Sequence, residues 1–327
     1  MQVLEGLGVL EEVQQKGISM NTITLAKQNL KPLYSNHQKS IKKKFGYTSV
    51  AIHRAALQKI LLENIPKGKI HLGKEFACFT ETNTQITTSF QDGTSVVSNY
   101  VLGADGIHSK VRNQLFPESK KRYSGQTCWR GVAEMEVVNV LEKKGLELWG
   151  DQIRFGVSQI AKNKIYWFAV ALDKENKKDT ENVSLKLQKL FADFHPVINK
   201  VIKATPEHTI IRNDIHDLHP LSKWYHNNVC LLGDAAHATT PNMGQGGAQA
   251  IEDAYYISKL VLENPNKNIF QDFQKIRRKK VAYVVKQSWN TGKMAHLKYG
   301  QSFRNLLLKS IPETFFEKSF IKLYQLD

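Results

Sequence analysis

The residues best placed to do chemistry lie in one run, Leu231-Leu232-Gly233-Asp234-Ala235-Ala236-His237-Ala238-Thr239-Thr240-Pro241-Asn242-Met243-Gly244-Gln245-Gly246-Gly247-Ala248-Gln249-Ala250-Ile251-Glu252-Asp253-Ala254. Its order is an apolar strand, an acidic stop, a glycine-rich loop and a helix. Val229 to Leu232 reads as a short buried strand, and Asp234 stands at its carboxyl end, where open α/β sheets bind ligands. Its carboxylate can accept hydrogen bonds from the hydroxyls of a polar cofactor. Gly244, Gly246 and Gly247 let the backbone pass close to a ligand. A helix opening near Gly247 aims unpaired N–H groups and a positive dipole end at that ligand, so negative charge is welcome there. The bland alternative is a loop-to-helix cap in which Asp234 serves only local backbone donors; three glycines and Pro241 argue against it. His237 reads as a packed or capping histidine ahead of a catalytic base.

Two further segments are organised in the same way. Val101-Leu102-Gly103-Ala104-Asp105-Gly106-Ile107-His108-Ser109-Lys110-Val111-Arg112 reads as strand, turn and helix, with Asp105 a turn residue before glycine when taken alone. Ile52-His53-Arg54-Ala55-Ala56-Leu57 opens a helix over 53–64, on which Arg54 alone would be a solvated charge. Around them, Ile23 to Leu33 reads as extended, Lys69 to Leu72 as a short strand, and Glu75 to Tyr100 as a three-strand meander turning at Asp92-Gly93. Val101 to Asp105 then returns to a parallel sheet. From about Tyr123 to His219 the pattern changes to long aromatic-rich strands, including 127–132 and 165–170, with a helix from about Val183 to Phe194 whose end Pro196 marks. Met1 to Val13 is an amphipathic helical pattern in which Gly6 and Gly8 are interruptions, and Gly17 is a helix stop. Asp173 to Thr180 is a charged loop.

In this order the three segments resemble FAD-dependent aromatic-hydroxylase-type monooxygenases, the p-hydroxybenzoate hydroxylase class, in its zeaxanthin-epoxidase and urate-hydroxylase-like branch. The resemblance implies an α/β fold: a doubly wound, Rossmann-like FAD-binding domain, N-terminally truncated and interleaved with a mixed-sheet α+β substrate domain. The FAD-binding domain is expected over 1–118, with 23–50 contributing to the substrate domain, and again over 222–290. The substrate domain is expected over 119–221 and C-terminal helices over 291–327. By the same resemblance Arg54, Asp105, Gly233, Asp234, Gly244, Gln245, Gly246 and Gly247 bind the cofactor FAD, and Pro241 shapes the flavin's edge. Arg154 and Tyr166 keep the spacing of an active-site arginine and tyrosine of the urate enzyme, so Arg154, Tyr166 and Pro241 are the expected catalytic group. A surface strand charge for Arg154 and a core aromatic for Tyr166 are equal alternatives. Asn242 departs from that enzyme, which has an aspartate after the proline.

The implied reaction is insertion of one oxygen of O2 into an aromatic or other unsaturated small molecule, as a hydroxylase or epoxidase, with NAD(P)H as co-substrate. The alternatives are an FAD-dependent reductase or dehydrogenase, and a catalytically impaired fragment that binds a complementary protein. The third arises because the resemblance begins only after the family's first strand, G-x-G-x-x-G turn and helix, which hold the FAD pyrophosphate. Weak or absent FAD binding by the chain as given is therefore expected, from an upstream true start or a longer gene.

The net charge of +16 raises nucleic acid as a partner, but the lysines are scattered, Lys42-Lys43-Lys44 and Arg277-Arg278-Lys279-Lys280 are short runs, and no nucleic-acid motif accompanies them. Cys78, Cys128 and Cys230 suggest neither a disulfide framework nor a metal site, and fit a reducing, cytoplasmic setting. No apolar run is long enough for an integral membrane segment. Phe303 to Leu326, with Leu306, Leu307, Leu308, Ile311, Phe315, Phe316, Phe320, Ile321 and Leu323 among lysines, reads as helices returning to the core rather than lying on a membrane surface.

Overall fold

The computed structural model describes residues 1–82, 85–180, 182–263, 269–312, 321 and 323–326. Phe315, Phe316 and Phe320 lie outside the described residues. In chain order, α1 (Gln2–Gly6) and α2 (Leu10–Lys16) lead to β1 (Ile18–Ser19), β2 (Thr22–Lys27), β3 (Pro32–His37), α3 (Lys39–Phe45), β4 (Val50–Ala51) and α4 (Arg54–Glu63). Next come β5 (Phe76–Glu81), β6 (Ile86–Phe90), β7 (Ser95–Ser98), β8 (Val101–Gly103) and α5 (Lys110–Leu115). The long strands β9 (Lys121–Glu134), β10 (Lys144–Trp149), β11 (Ile153–Ala161) and β12 (Lys164–Leu172) precede α6 (Val183–Leu190), α7 (Pro196–Lys203) and β13 (Ile211–Leu218). The chain closes with β14 (Tyr225–His226), β15 (Val229–Leu231), α8 (Asp234–His237), α9 (Gly246–Glu263), α10 (Ile269–Ala295) and α11 (Gln301–Ser310).

Contacts divide the chain into two compact units. The first comprises Met1–Ile65, Gly125–Asp214 and Lys293–Asp327; the second comprises Pro66–Ser124 and Ile215–Gly292. The first is built on a seven-stranded sheet of order β13-β9-β12-β11-β10-β2-β3. One face of it carries the larger core, where Trp129, Leu148, Phe155, Ile165 and Trp167 meet Leu187, Phe191, Ile198 and Ile202 of the α6–α7 region. The period of two in β11 and β12 makes this possible, since alternate residues point to alternate faces. Phe155 stacks on Trp167 with ring centroids 5.4 Å apart. A parallel pairing of β2 with β10 brings residues 22–37 into this sheet.

In the second unit, β5, β6 and β7 form an antiparallel meander, and β14, β15 and β8 form a small sheet in which β8 and β15 run parallel. The meander turns at Asp92-Gly93, where Gly93 has φ +82 and the Asp92 carboxylate accepts the Thr94 N–H. Gly103 ends β8 because a Cβ there would stand 2.9 Å from Val111 of α5 and 3.0 Å from Leu231 of β15.

Two local expectations are corrected. Residues 69–72 are irregular rather than a strand, and pair with no other strand among the described residues. Pro196 does not end the 183–194 helix but opens a second one, α7, at the first helical position where its missing N–H costs nothing, with His195 as the N-cap. As expected, the helical pattern of 1–13 is interrupted at Gly8, whose φ is +72, and divides into α1 and α2. Among the described residues no helix is long and apolar enough to cross a membrane, and no cluster of His, Cys, Asp and Glu could hold a metal ion.

Candidate functional site

β15 is fully buried and pairs in parallel with β8, Leu231 opposite Gly103, so both chains leave the same end of one sheet. The two sequence-predicted carboxylates, Asp234 and Asp105, follow those two strand ends, the position at which open α/β sheets present ligands. Between β15 and α8, Gly233 adopts φ +54 and ψ −135. A Cβ at this position would stand 3.0 Å from that of Ala250 in α9, so the turn presses directly on the helix.

Asp234 is exposed, and among the described residues its carboxylate makes no hydrogen bond. One of its oxygens stands 3.9 Å from where a Cβ on Gly246 would be, so it overlooks the first residue of α9. The capping role open to Asp234 is thus not what this carboxylate does. The loop between them is a short 3-10 turn, Pro241–Met243, closed by Gly244 in the left-handed region at φ +62. Asn242 donates to Thr240 Oγ1 at 3.0 Å and to the Ser288 carbonyl at 2.9 Å, which fixes this turn to α10 and leaves Pro241 exposed. A Cβ on Gly244 or Gly247 would meet nothing within 4 Å. Gln245 Oε1 and Gln249 Nε2, at the head of α9, are buried without a hydrogen-bond partner among the described residues.

Beneath this surface lies a buried polar network that sequence reasoning did not assign. Asp253 of α9 accepts the Gly233 N–H at 2.9 Å and His237 Nε2 at 2.6 Å on one oxygen, and Arg277 Nε of α10 at 2.8 Å on the other. Arg277 also pairs with Glu252 and donates to the Gln249 carbonyl and side chain. Burial works to raise the Asp253 carboxyl, but the His237 and Arg277 bonds outweigh it and hold it below the ordinary range. His237 is therefore a packed histidine that braces the turn. These partners lie 16 to 24 residues apart in the chain, a spacing that no local pattern marks.

Asp105 does act as a local cap: its Oδ2 accepts the Lys110 and Val111 N–H groups at 2.8 and 3.2 Å. Arg112, at the end of the same segment, is buried and donates to the Ile107 carbonyl at 2.7 Å and to that of Ala235 at 3.1 Å, tying the β8–α5 turn to α8.

The remaining expected site residues belong to the first unit. Arg54 is the first residue of α4, exposed, and without an ion pair among the described residues. Arg154 on β11 and Tyr166 on β12 lie on the same sheet face, opposite the larger core, because Arg154 pairs with Val170 and Ser158 with Tyr166. About 13 Å of strand separates them, at four residues of rise. Phe168 fills part of that interval, its ring so close over Gly156 that a Cβ there would stand 2.0 Å from it. Arg154 is 2 % exposed and donates to Glu147 at 3.0 Å and Gln126 at 3.4 Å, so it is no surface charge. Burial, reinforced by the nearby Cys128, raises the Tyr166 phenol and keeps it protonated at neutral pH.

The chain is 36% identical over 250 residues to aurachin C monooxygenase/isomerase of Stigmatella aurantiaca, covering 76% of this chain and 65% of that protein. It is 33% identical over 269 residues to 2-heptyl-3-hydroxy-4(1H)-quinolone synthase of Pseudomonas aeruginosa, covering 80% and 70%. It thus spans about two thirds of the length of these relatives. Among solved structures it superposes on Klebsiella pneumoniae HpxO complexed with FAD and uric acid with TM-score 0.89 at 22% identity, covering 98% of this chain and 84% of that one. On a salicylate hydroxylase substrate complex the TM-score is 0.82 at 21% identity, covering 99% and 86%. Residues 1–288 match the model of the FAD binding domain family, and the chain belongs to that family.

Proposed function

We propose that this chain forms the ribityl and isoalloxazine side of an FAD site in a flavin-dependent monooxygenase, a hydroxylase or epoxidase acting on an aromatic or other unsaturated small molecule. The observation that carries this reading is the unspent Asp234 carboxylate facing the glycine-opened end of α9. The residues fit a flavin nucleotide. A carboxylate suits sugar-alcohol hydroxyls, the open space over Gly244 and Gly247 admits a planar ring, and the orphaned Gln245 and Gln249 atoms await polar partners. When bound, FAD supplies the redox chemistry with NAD(P)H and O2.

The chain's own residues do the rest. Asp234 holds hydroxyls. The N–H groups at the start of α9 would favour negative charge on the cofactor. Pro241 would border the ring edge, and the resemblance assigns further cofactor contacts to Asp105 in the second unit and to Arg54 in the first. Arg154 and Tyr166 orient substrate on the sheet face that Phe168 lines. Both the named quinolone relative and the uric acid of the HpxO complex concern nitrogen heteroaromatics, which supports that substrate class here. The free cysteines support a reducing, cytoplasmic setting.

The test is a flavin titration of the full chain and of Asp234→Ala, read by flavin fluorescence. Removing a hydrogen bond to a charged group should weaken binding about tenfold or more. Equal affinity would remove Asp234 from the site. With free FAD in large excess, to offset the weak binding expected from the sequence, NAD(P)H and a 4(1H)-quinolone, oxygen uptake coupled to product is expected; reduction of an artificial acceptor without oxygen uptake would favour a dehydrogenase.

A further inference from the structure

α11 turns Arg304 inward and an apolar stripe outward, the reverse of a helix that only covers a core. Arg304 is buried, donates to the carbonyls of Met294 and Ala295 at 3.1 Å each, and stands 4.8 Å over the Trp149 ring. Leu308 joins Leu33 and Trp149 in a small core. These contacts fix the rotation of the helix. Phe303, Leu306 and Leu307, one stripe at helical spacing, are consequently 66%, 61% and 50% exposed, and Tyr299 just before them is 78% exposed. Lys298 and Lys309, on either side of the stripe in sequence, are exposed, and the segment 298–312 contains no carboxylate.

We propose that this face seats the protein on an anionic bilayer surface. The apolar stripe enters the boundary between headgroups and acyl chains, and the lysines meet lipid phosphates. Charge favours lipid over a second copy of the chain: symmetric docking would bring Lys298 and Lys309 of both copies together, between two chains each of charge +16. The attachment is peripheral, since no described helix can span a membrane.

Cosedimentation of the full chain with vesicles of phosphatidylcholine containing about 30 mol% phosphatidylglycerol, against pure phosphatidylcholine, tests this. The chain should bind the anionic vesicles, less as salt is raised. F303S/L306S/L307S should lose about tenfold or more of that binding. K298Q/K309Q should lose about fivefold per lysine on anionic vesicles and nothing on neutral ones. All five side chains are exposed, and circular dichroism checks that both variants fold. Absence of binding to anionic vesicles, or unchanged binding by the triple variant, overturns the proposal. So does light scattering that finds a wild-type dimer and a monomeric triple variant, which would assign the face to a second copy.

Discussion

Gly233 is where the residue scale decides most. Its φ of +54 with ψ −135 is a conformation that a side chain resists, and its missing Cβ lets the turn touch Ala250. Gly233→Ala is therefore expected to lower stability by about 1–3 kcal/mol and to shift Asp234 away from Gly246, weakening flavin binding as well. Thermal unfolding and the flavin titration read the two effects separately, and an unaltered midpoint would show that the turn is not strained by a side chain. The glycines and Asp234 were legible because their chemistry is local: a strand, an acid and a glycine loop in one stretch. Arg154 and Tyr166 were legible only as alternatives. Whether a strand arginine is a surface charge depends on neighbours such as Glu147 and Gln126, which the fold supplies.

At the scale of elements, three pieces meet at Asp253: the turn after β15, helix α9, and helix α10 through Arg277. Removing one partner of a buried charge pair leaves the other uncompensated, so Asp253→Asn should destabilise the protein by about 3–5 kcal/mol. The pH dependence follows from the sign of the shift. Asp253 has its folded pKa below the unfolded one, so its contribution is fully present above the ordinary carboxyl value of about 4 and is lost as pH falls through the folded value. Urea unfolding at about pH 7 and about pH 3 should show a smaller acid loss in Asp253→Asn than in the wild type. An identical loss in both would mean that another carboxylate carries the dependence. None of this network was visible in sequence, because Glu252-Asp253 and Arg277 sit in ordinary helical patterns. The helix opened by Pro196 was missed for a different reason: proline stops one helix and starts another equally well.

For the whole molecule, the chain passes between its two units at 65/66, 124/125, 214/215 and 292/293. Strand patterns located the meander and the aromatic strands, but not the parallel partner of residues 22–27, which is β10, more than a hundred residues away. Neither unit is a continuous stretch, and both segments of the second, 66–124 and 215–292, are joined to the first at each end, so unfolding the first frees both ends of each. That connectivity ties their stabilities together. Phe155→Ala removes a ring stacked on Trp167 in the larger core and should cost about 3–5 kcal/mol. Hydrogen exchange read by mass spectrometry should then rise in peptides from 146–171, which belong to the unit that carries the mutation. It should rise as well in peptides from 229–260, which belong to the other. Faster exchange confined to 146–171 would show that the units unfold independently despite the four crossings.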